Sequence, residues 1–182
     1  MLFRPGISRG SVETIDFNGS GQWSAEAVQQ RYLLYSKRYG HRDARELKSR
    51  EHTEASVRWL YPIIESVVEG IKASDPACID LGVEFIESGH KQPFGRILHA
   101  KVARALRQAP LNREHITRLR ARILSMLIAG QVPHEYHEYA KLLRRIGLGP
   151  TWASIRQRVD EQNPYVMRYV NYFERFGRTG GV

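Results

Sequence analysis

Hydrophobic positions along this chain recur mostly three and four residues apart, the period of a helix that buries one stripe. From Ser24 onward one grammar repeats: a capping residue or a proline, an apolar run of that period, then a glycine. Ser24 caps a predicted helix that stops at Gly40. A second helical stretch is predicted from near Asp43 through Thr53 to about Ala73, kinked or broken at Pro62. Asp75-Pro76 is a strong start signal. The carboxylate accepts free N–H groups, and proline loses nothing at the first helical position. That helix stops at Gly89. Pro93 opens one that ends before Pro110, Asn112 caps one ending at Gly130, and Pro133 opens one ending at Gly147. Thr151 caps a short helix, and Asn163-Pro164 opens the last, ending at Gly177. The expectation is eight or nine helices joined by tight turns, with no sheet.

Residues 1–23 read differently. Gly6, Gly10, Gly19 and Gly21 punctuate them, and Val12–Phe17 alternates like a short strand. They are expected to form an extended N-terminal arm, with that strand docked on the body, ahead of a single all-helical domain over residues 24–182. A faint internal repeat runs through the domain. Phe85–Gly89 resembles Met126–Gly130, and Pro93 with His99–Arg104 matches Pro133 with Tyr139–Arg144, about forty residues on. A two-helix unit of about 40 residues is the period of HEAT and armadillo-like stacks. The fold class expected is therefore all-α, either a compact multi-helix bundle or a short HEAT-like stack of antiparallel helices.

Charge changes the picture more than composition does. The formal net charge is +9. Residues 91–158 hold 14 Lys/Arg against 3 Asp/Glu, whereas residues 1–90 hold 11 against 13 and residues 159–182 hold 3 against 3. One basic segment thus interrupts a near-neutral chain, and such a segment usually meets something acidic: nucleic acid, an anionic membrane or an acidic protein. The membrane is disfavoured, because the basic helices lack an exposed apolar face once their core stripes are buried. On the helix from Pro93, Phe94, Leu98, Val102, Ala105 and Ala109 form the predicted core stripe. Arg96, Arg104 and Arg107 lie opposite, with Lys101 at the edge. On the helix from Asn112, Arg118 and Arg122 face away from Leu119, Ile123 and Met126. On the helix from Pro133, Lys141, Arg144 and Arg145 join His134 and His137 opposite Tyr136, Tyr139 and Leu143. A solvated helix normally places Glu four residues from Lys or Arg, and that local compensation is nearly missing here. If the first and third of these helices share a face, their cations suit a phosphate backbone, which carries no sequence information.

The last helix carries Tyr165, Tyr169, Tyr172, Phe173 and Phe176 as an aromatic stripe. It either closes the core or docks a partner or a second copy of the chain. Trp59 and Trp152 read as core, and Tyr32, Leu33, Tyr35 and Tyr39 as the other wall of an aromatic cluster.

Chemistry-bearing motifs are few. Cys78 is the only cysteine, which excludes an internal disulfide and reads as a small buried residue. His134-Glu-Tyr-His137-Glu spaces its histidines three apart, not four as in the metalloprotease pattern, and no third metal ligand is evident. Gly147-Leu-Gly149-Pro is a helix stop, not a phosphate loop. No catalytic motif, cofactor fingerprint, membrane span or signal peptide is read. Two functions follow as expectations. One is a cytoplasmic, non-enzymatic accessory protein whose residues 91–158 bind nucleic acid. The other is an adaptor or regulator docking an acidic protein through the same face and the C-terminal aromatics.

Overall fold

The computed structural model describes residues 12–41 and 44–177. Helices dominate: α1 (Ala25–Arg38), α2 (Ile64–Lys72), α3 (Pro76–Ser88), α4 (Gly95–Leu106), α5 (Arg113–Ile128), α6 (Tyr136–Ile146), α7 (Trp152–Arg156) and α8 (Pro164–Gly177). Their starts follow the local chemistry. Ser24 Oγ accepts the Ala27 N–H at 3.2 Å, and the Asp75 carboxylate accepts those of Ala77 and Cys78 ahead of Pro76. Asn112 Oδ1 takes the His115 N–H at 2.9 Å, and Asn163 Oδ1 takes those of Tyr165 and Val166. Thr151 makes no such bond. Gly89 and Gly130 follow α3 and α5 with φ of 56° and 67°, the left-handed conformation that relieves a helix end.

Packing alternates along the chain. α1 lies on α3 and α3 on α5; α2 lies on α4, α4 on α6 and α6 on α8. Helices α1, α3 and α5 thus form one layer and α2, α4, α6 and α8 the other, joined where α3 meets α2 and α4 and where α5 meets α6. Trp23, Phe85, Leu98, Leu106, Leu119, Tyr136 and Phe173 are fully buried between them. The sequence repeat corresponds to the pairs α3–α4 and α5–α6. Its equivalent residues His99 and Tyr139 meet edge to face, 6.3 Å between ring centroids. Close approach is built in at Gly70, where an added Cβ would sit 2.7 Å from that of Cys78. Cys78 is buried, and burial pushes its thiol up to about 12, so it is an inert packing residue.

A small sheet departs from the helical expectation. Strands β1 (Glu13–Asp16), β2 (Glu51–Glu54) and β3 (Val57–Leu60) run in the order β1-β3-β2, parallel between β1 and β3 and antiparallel between β2 and β3. The strand expected within Val12–Phe17 is β1. The helix expected through Thr53 is instead a hairpin turning at Ala55, whose φ of 54° is unusual for a residue with a side chain. The predicted start at Asp43 lies outside the described residues, as do residues 1–11 of the expected arm. Pro62 marks a junction, not a kink: β3 ends before it and α2 begins after it. Residues 44–50 are irregular and held from outside, by Gln29 Oε1 on the Leu47 N–H and by a bond from Ser66 Oγ to the Lys48 carbonyl. Asn18 Oδ1 accepts the Ile63 N–H at 2.7 Å and so ties β1 to the start of α2.

Three core assignments also change. Phe94 is the exposed, left-handed residue preceding α4, not part of its buried stripe. Trp59 is half-buried on the sheet and stacks on His52. The α1 tyrosines face α3, where the hydroxyls of Tyr32, Tyr35 and Tyr39 donate to Asp75, Glu84 and Asp80.

Candidate functional site

Most cations of residues 91–158 fall in three places: a ridge on α4 and α6, a face of α5, and a cleft that α4 and α5 both reach. On α4 and α6, Arg104, Arg107 and Lys141 converge on one carboxylate, Glu138, at 3.3, 3.4 and 3.1 Å, and His137 Nε2 lies 3.1 Å from it. The Glu138 side chain is 4% exposed, whereas those of Arg104 and Lys141 are 57% and 47% exposed. Burial works against the charged carboxylate, but hydrogen bonds from Lys141 and Arg104 outweigh it and hold Glu138 below the usual glutamate range. Three cations on one carboxylate leave a surplus of two positive charges on the ridge. Lys101, further toward the start of α4, pairs with Glu65 of α2 at 2.7 Å.

The second place is the face of α5. Arg118 grips Glu87 of α3 through two nitrogens and lies 3.6 Å from Glu114, so it joins the two helices. Arg120 donates to the carbonyls of Ile146 and Gly147 at 2.9 Å each, satisfying the end of α6. The third place is a cleft where the α3–α4 and α5–α6 turns meet. Arg96 and Arg122 both line it. Arg122 bonds only a backbone carbonyl, that of Ile86, and Arg96 has no ion pair among the described residues. Arg145 is exposed, likewise without an ion pair among them. Arg144 lies over the Phe176 ring at 4.5 Å.

The C-terminal stripe divides as well. Phe173 is buried against Trp152, and Tyr169 packs edge to face on buried Tyr136 at 4.7 Å. Tyr165 is 69% exposed. Between α6 and α8 runs a groove of about 910 Å³. Its walls carry Tyr165, Tyr169, Tyr172 and Phe176 beside His134, His137, Lys141, Arg168 and Arg175, with no aspartate or glutamate. The groove meets the cleft at Val132, Pro133 and Tyr165, which line both. Aromatic faces and cations therefore lie on one concave surface, and two of the cations, Arg168 and Arg175, come from α8 itself, outside the basic segment 91–158.

A buried polar group missed in the sequence lies between α3 and α5. His115 Nε2 and Asp80 Oδ1 are 2.6 Å apart, and Tyr39 donates to the other Asp80 oxygen. Burial opposes the Asp80 charge, yet the bonds from His115 and Tyr39 hold it low. The pair resembles half of a catalytic triad but cannot relay a proton to a substrate. His115 Nδ1 already accepts the Asn112 N–H, so both ring nitrogens are engaged. The signal for it was His115 three residues after the cap Asn112, the capping-box position. Among the described residues no three His, Cys, Asp or Glu side chains are grouped to hold a metal ion, and no helix is long and apolar enough to cross a membrane. Comparison with protein-family models, with curated proteins and with solved structures finds no match for the chain.

Proposed function

We propose that the protein is a non-enzymatic, cytoplasmic nucleic-acid-binding factor that holds an unpaired strand in the α6–α8 groove, on a scaffold that is a short HEAT-like stack. The alternate packing of helices in two layers supports the scaffold. One observation carries the function: exposed and half-buried aromatics share the groove with Lys141, Arg168 and Arg175, and no carboxylate lines it. Unpaired bases stack on aromatic faces while cations track the phosphates, a combination that tolerates any sequence. Tyr165 offers the most exposed ring, and Tyr172 continues the platform along α8. The α4–α6 ridge around Glu138 extends the positive surface away from the groove. An acidic protein segment is the second reading, favoured by the same absence of carboxylates.

Titration of labelled single-stranded and duplex oligonucleotides at about 50 mM and about 200 mM salt tests the assignment. The single strand is expected to bind more tightly, and its affinity to fall steeply with salt. Tyr165→Ala weakens binding by about 1–3 kcal/mol, the worth of one stacked base. Lys141→Glu with Arg168→Glu abolishes binding and leaves the circular dichroism spectrum unchanged. Failure of both the single strand and the duplex to bind at low salt overturns the reading in favour of the acidic protein.

A further inference from the structure

The cleft beside the groove is a built polar site. It encloses about 850 Å³ between the two turns of the repeat. Among the described residues, seven buried side-chain nitrogen or oxygen atoms lack a hydrogen-bond partner, and five of them belong to residues lining this cleft: His90, Gln92, His99 and Glu135. Orphaned polar atoms are costly, so a concentration of them in one cavity marks a place for a polar ligand. The character of the orphans defines that ligand. His99 is 4% exposed and stacks on Phe85, with its Nε2 3.1 Å from the His90 carbonyl. A carbonyl only accepts, so Nε2 carries the proton and Nδ1 is left as an acceptor. Burial holds His99 below the usual histidine range, which keeps that ring neutral. Glu135 Oε2 is a second unmet acceptor, whereas Gln92 Oε1 lies against Gly19, outside the cleft lining. At the rim stand Lys91, Arg96 and Arg122, none in an ion pair among the described residues.

A fitting ligand therefore presents adjacent N–H donors at one end and an anion at the other. Among the nucleobases, guanine alone sets an imide N–H beside an amino group. Adenine and cytosine offer an amino group beside a bare ring nitrogen, and uracil a single N–H between carbonyls. We propose that the cleft binds guanine, its N–H edge on Glu135 and His99 and its phosphate on the Lys91–Arg96–Arg122 rim. The base can arrive in a free guanosine nucleotide or at one position of an unpaired strand. Only the second source rests on the groove reading above, with Tyr165 bridging groove and cleft.

The test titrates the full chain with the four ribonucleoside 5′-monophosphates, following histidine ring resonances and Tm. In parallel, an oligothymidine strand is compared with the same strand carrying one guanine. GMP is expected to bind at least about tenfold more tightly than the other three and to raise Tm. Glu135→Gln, which keeps the shape and removes the charge, abolishes that preference without lowering the Tm of the free protein. A guanine preference in the strand alone assigns the site to a strand-borne base, and one in the nucleotide alone assigns it to the free ligand. No guanine preference in either series, or a preference that survives Glu135→Gln, overturns the proposal. The groove reading then still stands if plain oligothymidine binds in a salt-dependent way.

Discussion

Glu138 is the residue on which the ridge depends, because a single buried carboxylate restrains cations from two helices. Its folded value lies below that of an unfolded glutamate, so its contribution to stability is present above the ordinary carboxylate range and is lost as pH falls through the lowered value. Glu138→Gln is expected to cost about 1–2 kcal/mol at neutral pH, discounted because the cations are half-exposed. The difference between the two proteins should vanish in acid, where both side chains are neutral. Urea unfolding at pH 7 and at successively lower pH, followed until the two proteins coincide, measures this. The same substitution removes one negative charge from a surface proposed to meet phosphate. It therefore tightens oligonucleotide binding while weakening the fold, a pair of opposite effects that a purely structural role does not produce. Asp80 follows the same pH sign, but in a buried pair where the loss of one partner is costlier. His115→Leu takes from Asp80 its buried imidazole partner and leaves the Asn112 N–H without its acceptor, and is expected to cost about 3–5 kcal/mol.

At the scale of elements, the helices were legible because their ends are written in local chemistry. Ser24, Asp75, Asn112 and Asn163 cap where side-chain oxygens meet free N–H groups, and Gly89 and Gly130 stop helices where a left-handed residue is needed. The hairpin was not legible, for an equally physical reason. All four β2 residues are exposed, so Glu51–Glu54 lacks the apolar alternation that betrays a half-buried strand. Its turn uses Ala55-Ser56 in place of the Asn-Gly or Asp-Gly pairs that announce a tight hairpin. Ala55→Gly should relieve the left-handed strain there and stabilise the protein by about 0.5–1 kcal/mol, read from the urea midpoint. Gly70→Ala should act oppositely, forcing α2 away from Cys78 at a cost of about 1–3 kcal/mol. Of the site, the sign of the charge was visible in the sequence. Its distribution was not, since Glu65, Glu87 and Glu138 neutralise arginines and lysines on other helices, beyond the reach of any local spacing rule.

For the whole molecule, the two-layer order decides which charges cooperate. Lys141, Arg168 and Arg175 line one groove, and Arg104 and Arg107 join them through the ridge, whereas Arg118 and Arg120 are spent on joining helices. Salt dependence of strand binding should therefore report about three to five phosphate contacts, a slope of about −2 to −3.5 in a log–log plot. A slope of zero argues for a partner held by contacts other than charge. Arg118→Gln should leave that slope unchanged and lower stability instead, since its partner Glu87 belongs to α3.

The parallel pairing of β1 with β3 has a temporal consequence. A chain made from its N-terminus completes β1 first, yet the strand that must hold it is made only after α1 and the hairpin's outer strand. The helix pairs α1–α3 and α3–α5 likewise join segments far apart along the chain, so each waits for its later partner. During synthesis the earliest strand to emerge thus stays unpaired until β3 follows, and its capture, through Asn18 and Ile63, coincides with the seating of α2.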